Sequence, residues 1–187
     1  MVSNSRIIEA IVKKLKQYRA KNIVVDPVMI STSGSKLLDD EAMDALITKL
    51  LPAADIITPN IPEAEALSGM KIENADDMPA AAEKISKLTG GSVIIKGGHL
   101  AGSADDLLYS EGKAVWVRGK SNPNTHGTGC TLSSAIACNL AGGCSMEQSV
   151  IHAKNYITGA LMADLDLGKG NGPLNHCYNL DFIRSHL

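Results

Sequence analysis

The stretch NPNTHGTGCTLSSAIACNLA, at 122–141, groups residues that could do chemistry. Gly127 and Gly129 bracket Thr128, and Cys130 follows where an apolar run takes up helical spacing. Glycines in such a loop let the backbone approach a ligand closely. The first N–H groups of the following helix lack intrahelical partners and carry partial positive charge. The loop therefore reads as an anion site, most naturally for a phosphoryl group. The same dipole favours a thiolate at Cys130. The plainer alternative is a tight turn followed by a small buried cysteine. A cysteine-phosphatase loop would need an arginine soon after the cysteine, and residues 131–140 contain none.

Three other short stretches could supply partners, and each also has a structural explanation. In VVDPVM, Asp26 falls where a buried strand ends, the place where open α/β sheets bind ligands. An Asx turn before Pro27 explains it equally well. In TPNIPEAE, Asn60 and Glu63 stand three apart at a helix start, the spacing of a capping box. The functional reading is a carboxylate near Mg²⁺ and phosphate oxygens. In VIIKGGH, Lys96 ends a strand before two glycines, where an ammonium can reach a phosphate or simply stay solvated. Each signal is weak alone. Together they place an acid, a carboxylate, a lysine and an anion loop at strand ends and helix starts, which is how a phosphoryl-transfer site is assembled.

The elements that must hold them follow from periodicity. Helices are predicted over 6–19, 39–51, 61–69 with Gly69 as its stop, 77–88 with Pro79 in its first turn, 129–141 and 146–164. Strands are predicted over 22–25, 54–58 and 92–98. Residues 105–119 read as a β-hairpin turning at Glu111-Gly112-Lys113. Helix and strand alternate through the first half, so a mostly parallel sheet with helices on both faces is expected, in one domain spanning 1–187.

Composition excludes several function classes. Hydrophobic residues make up 44% and charged residues 20%, which suits a globular core. A net charge of -2 gives no electrostatic reason to seek nucleic acid or an anionic membrane, and 3% aromatic content provides no base-stacking platform. No apolar run approaches membrane-spanning length. The basic, amphipathic first 21 residues could suggest a transit peptide, but Glu9 and the strand-like NIVVDPV directly after favour a structural helix. The cysteines at 130, 138, 144 and 177 form no CxxC pair. His126 with Cys130 lacks further zinc ligands, and His99, His152, His176 and His186 have no ligand spacing. A reducing, cytoplasmic setting is expected.

VVDPVM, STSGSKLL, ITPNIPEAEALSG, KGGH and NPNTHGTGCTLSSAIACNLA resemble the hydroxymethylpyrimidine/phosphomethylpyrimidine kinases of thiamin biosynthesis, members of the ribokinase-like superfamily. The resemblance covers nearly the whole chain. It implies a three-layer α/β/α Rossmann-type fold and MgATP-dependent phosphorylation of a pyrimidine's hydroxymethyl group, then of the monophosphate. By it, Cys130 is the base where the wider superfamily has aspartate. Gly127, Thr128 and Gly129 form the anion hole. Lys96 and Asn60 serve the nucleotide, and Asp26 with Glu63 hold Mg²⁺ through waters. Met1, Val28 and Cys130 line the substrate pocket, and STSGSK at 31–36 is a loop that closes over it. A homodimer is expected. The family's opening glycine-rich strand–loop and pyrimidine-reading residue have no counterpart here, so the chain is expected to be a carboxyl-terminal portion with weak kinase activity or none alone. The rival readings are a pyridoxal kinase on the same scaffold, a non-catalytic nucleotide-binding module and, weakened by the missing arginine, a cysteine hydrolase.

Overall fold

The computed structural model describes residues 2, 4–29, 37–98, 104–120, 127–163, 165, 167 and 172–179. The first helix, α1 (Ser5–Gln17), is capped by Asn4, whose side chain accepts from the Ile7 N–H, and it buries Ile8 and Val12. It leads to β1 (Val24–Val25). Then α2 (Asp40–Ala45), capped by Asp39, runs on without a break into a π-helical turn at Leu46–Leu50 and a 3₁₀ turn at Leu51–Ala53. The segment expected as one α-helix is thus helical throughout but changes its winding. Next come β2 (Ile56–Ile57), α3 (Ile61–Ser68), α4 (Met78–Thr89) and β3 (Ser92–Ile95). The hairpin β4 (Asp106–Ser110) and β5 (Lys113–Val117) follows, and then α5 (Thr128–Ala141) and α6 (Met146–Met162).

The strands lie in the order β1-β2-β3-β4-β5. The first three pair in parallel, with Val24 beside Ile56 and Ile57 beside Val93; β3 to β5 pair antiparallel, with Ile95 beside Leu107. The hairpin turns where expected. Glu111 and Gly112 have φ of 50° and 77°, the positive values a two-residue turn needs to match strand twist.

Alternate residues of each strand feed different cores. Ile57, Val93, Ile95 and Leu107 pack with apolar residues of α1, α2, α3 and α4 on one face. Ile56, Ile94, Leu108 and Val117 pack with Leu132 and Ile136 of α5 and Val150, Ala153 and Ile157 of α6 on the other. Two helical layers therefore cover one sheet, the three-layer arrangement expected from the alternation. The three parallel strands point their carboxyl ends the same way, and that edge carries the candidate site.

Candidate active site

Three of the expected residues leave the sheet at neighbouring strand ends. Asp26 follows β1, Asn60 lies just past β2, and Lys96 follows β3. The last two are registered against each other by a parallel bridge, with the Lys96 N–H donating to the Pro59 carbonyl at 2.9 Å. The Lys96 ammonium donates to Asp26 Oδ1 at 2.9 Å, and the same oxygen accepts from Thr58 Oγ1 at 2.9 Å. Asp26 thus spends its carboxylate on neighbouring strand ends. Its carbonyl also accepts from the Val28 N–H across Pro27, at 2.9 Å, which fixes the turn carrying the half-buried Val28. The Asp26 and Lys96 side chains keep 16% and 19% of their surface, enough for a ligand to reach them.

Glu63 does what the local pattern requires. Its Oε2 accepts from the Asn60 N–H at 2.9 Å, and Asn60 Oδ1 accepts from the Glu63 N–H at 2.9 Å, a complete capping box. Its position is unusual for a cap, because only 1% of Glu63 is exposed. Burial pushes its carboxyl above the usual range, and the charge of Asp26 adds to that. The Asn60 and Met29 N–H groups and the Lys96 ammonium pull the other way. One carboxylate therefore ties together the start of α3, the turn after β1 and the charged pair.

The helix start completes the cleft. Gly127 is the residue before α5, with φ of 83°, a left-handed conformation that a side chain would strain. Thr131 Oγ1 donates to the Gly127 carbonyl at 2.8 Å. Gly129 faces the charged pair: a Cβ placed on it would lie 3.5 Å from Asp26 Oδ2 and 3.6 Å from Lys96 Nζ. The positive end of α5 therefore abuts the charged pair. Cys130, one residue on, is exposed at the end of an open groove of about 780 Å³ between α5 and α6, which is also lined by Cys138, His152 and Tyr156.

The structure brings Asp26, Asn60, Glu63, Lys96 and the Gly127–Gly129 turn together. Met1 and the 31–36 loop lie outside the described residues. Sequence reasoning missed Thr58, which fixes Asp26. It also missed Asp106, whose one signal was a charge at the head of an otherwise apolar strand. Among the described residues, no group of three or more His, Cys, Asp and Glu is placed to hold a metal ion. Two carboxylates that repel one another beside the head of α5 fit Mg²⁺, which keeps most of its waters and takes one or two carboxylates plus phosphate oxygens.

A mixed five-stranded sheet with charged residues at the ends of its parallel strands, together with the likeness to solved kinases, places the chain among the ribokinase-like kinase folds. Within that class it belongs to the phosphomethylpyrimidine kinase family, whose model matches residues 1–175. It is 42% identical over 183 residues to the hydroxymethylpyrimidine/phosphomethylpyrimidine kinase of Haemophilus influenzae, covering 94% of this chain and 68% of that protein. It is 42% identical over 189 residues to the thiamine biosynthesis bifunctional protein ThiED of Geobacter sulfurreducens, covering 98% of this chain and 38% of the relative. Among solved structures, the phosphomethylpyrimidine kinase of Clostridium difficile superposes with a TM-score of 0.74 at 47% identity, over 84% of this chain and 65% of that one. The ADP complex of a Bacillus subtilis pyridoxal kinase gives a TM-score of 0.85 at 37% identity, over 97% and 69%. No helix among the described residues is long and apolar enough to cross a membrane.

Proposed function

We propose that the chain is the part of a kinase that carries the γ-phosphoryl group of MgATP to the hydroxymethyl group of 4-amino-5-hydroxymethyl-2-methylpyrimidine, and then to the monophosphate so formed. The observation that carries this reading is the placement of the Lys96–Asp26 pair beside Gly129 at the head of α5. The cleft offers a point charge, a carboxylate and a row of backbone N–H donors to one anion. In the first step the alcohol oxygen bonds to the γ-phosphorus as its bond to the ADP oxygen breaks. Cys130 takes the alcohol proton, the Gly127–Gly129 N–H groups hold the phosphoryl oxygens, and Lys96 stays with the phosphate charge. Asp26 and Glu63 are the residues that would hold Mg²⁺ through water, and the ion would neutralise phosphate charge. Asn60 positions Glu63, and Met1 and Val28 belong to the substrate pocket.

The names of the relatives favour the pyrimidine. The likeness to pyridoxal kinase structures supports pyridoxal as a second alcohol for the same cleft. A single domain, a homodimer and a cytoplasmic setting belong to this reading, the last supported by four free cysteines. The chain spans 68% of the length of the Haemophilus influenzae relative, so the activity of the whole enzyme belongs to this proposal.

The test separates two chemical steps. The alcohol must lose a proton to attack, whereas a phosphate monoester with a second pKa of about 6 is already largely ionised. Cys130→Ala should slow the first phosphorylation by about 10²–10⁴-fold relative to the parent and the second much less. Cys130→Asp should recover part of the first. Equal losses in both steps would remove the proton-accepting role.

A further inference from the structure

We infer that the buried Asp106–Lys154 pair is a positioning device, holding the backbone that carries Lys96 in place opposite the start of α5. The inference rests on the nucleotide-binding reading above and goes one layer beneath it. Asp106 opens β4 and Lys154 lies midway along α6, with 3% and 14% of their side chains exposed. One carboxylate oxygen of Asp106 accepts from Lys154 Nζ at 2.5 Å, and the other accepts from the N–H of Gly97, the residue after Lys96, at 3.0 Å. Lys154 Nζ also donates to the Ala104 carbonyl at 2.8 Å.

Close backbone contacts make this arrangement specific. A Cβ on Gly97 would collide with the Asp105 carbonyl oxygen at 1.9 Å. A Cβ on Gly119, just past β5, would meet the Ala104 carbonyl at 2.3 Å and the Lys154 stem at 2.4 Å. The Gly119 N–H donates to Asp105 Oδ1 at 2.9 Å. The exit of β3, the start of β4 and the exit of β5 are thus clamped around one lysine from α6. Hydrophobic residues could fill this space without desolvating two charges, and buried ion pairs contribute little net stability. What apolar residues could not do is accept from the buried Gly97 N–H and so fix the peptide next to Lys96.

Two variants that differ only in that acceptor test the inference. Asp106→Leu with Lys154→Met removes both charges and the acceptor. Asp106→Asn with Lys154→Met removes both charges but leaves an oxygen for Gly97. The affinity for a non-hydrolysable ATP analogue is measured by calorimetry, and amide exchange at Gly97 by NMR. The Leu/Met chain should bind at least about tenfold more weakly than the Asn/Met chain and exchange Gly97 at least about tenfold faster, as expected when a buried donor loses its partner. Lys96→Ala should bind the analogue equally weakly in the Leu/Met and Asn/Met backgrounds, because the pair acts through Lys96. Equal affinity and equal Gly97 exchange in the two chains would overturn the inference. In the parent protein, which needs no variant to fold, a Gly97 amide that exchanges freely while Ile94 and Ile95 are protected would also overturn it. A parent that binds no nucleotide would sink the kinase reading instead, and the exchange comparison would still decide the role of the pair.

Discussion

Two lysine–aspartate pairs meet at adjacent residues of this fold, and they are built for opposite purposes. Lys96 with Asp26 and Lys154 with Asp106 make similar contacts, 2.9 Å and 2.5 Å. The first joins two strand ends at the mouth of the cleft, keeps part of its surface and lies next to Gly129. The second joins a strand to a helix beneath the cleft and spends its remaining bonding capacity on the Gly97 N–H and the Ala104 carbonyl. On the function proposed above, the first pair exchanges partners when an anion arrives, because its lysine is held by one carboxylate and its aspartate keeps part of its surface. The second cannot, because removing either member strands a charge in the core. On that reading, position in the sheet, more than residue type, separates a receptor pair from a fastener.

The largest effect should come from cutting the fastener alone. Lys154→Met leaves the Asp106 carboxylate buried without its partner and should cost about 3–5 kcal/mol of stability, read from urea unfolding at neutral pH. A loss comparable with that of Lys96→Ala would erase the contrast. Lys96→Ala should behave in the opposite way. Its stability should fall by less than that of Lys154→Met, because Asp26 keeps part of its surface and a second donor in Thr58. Phosphoryl transfer should fall about 10²-fold, the usual cost of losing one preorganised electrostatic group.

The adjacent glycines sharpen the same boundary on a smaller scale. Gly97→Ala drives a methyl group into the Asp105 carbonyl, whereas a Cβ on Gly98 meets nothing within 4 Å. The first substitution should destabilise by about 1–3 kcal/mol or more. The second should stay within about 0.5 kcal/mol, both compared by thermal unfolding. The smallest effect concerns Glu63, which sits between the two kinds of behaviour. Its carboxyl is raised in the fold chiefly by burial, so the folded state holds a proton more tightly than the unfolded chain does. The stability this contributes is full below the ordinary carboxylate value of about 4.3 and is lost as pH rises through the raised one. Glu63→Gln removes that dependence. The wild type should therefore gain on the Gln variant as pH falls from neutral toward about 4.3, in unfolding curves taken at several pH values. A constant difference would mean that Glu63 is as ionised in the fold as outside it.

What the sequence revealed was what local chemistry controls. Asn60 and Glu63 at three apart gave the capping box, Gly69 gave the stop of α3, and Glu111-Gly112 gave the hairpin turn. The strand-end positions of Asp26 and Lys96 followed from where apolar runs stop. Burial of Glu63 was not visible in that way. Ser145 and Gln148 form the same box at the start of α6 on the exposed surface, so the motif alone does not say which side of a helix faces the core. The Asp106–Lys154 pair was missed for a related reason. Its members lie 48 positions apart, in elements brought together only by the packing of α6 on the sheet. The strands are shorter than expected, because β1 and β2 pair over just two residues each, Val24 with Ile56 and Val25 with Ile57.

The π-turn at Leu46–Leu50 bears on how this protein can change over evolutionary time. A π-turn closes its hydrogen bonds one residue further along than an α-turn, so it stores one extra residue in a helix without breaking it. Leu46 and Leu50 are buried at its two ends, while Thr48 and Lys49 bulge into solvent. A one-residue insertion or deletion in the connection from β1 to β2 can be absorbed there as a change of winding. A slip of one residue within β2 itself would turn Ile56 and Ile57 to the wrong cores and carry Thr58 away from Asp26. The helix can therefore serve as a length buffer: a change in the size of the crossover need not move the strand ends out of register.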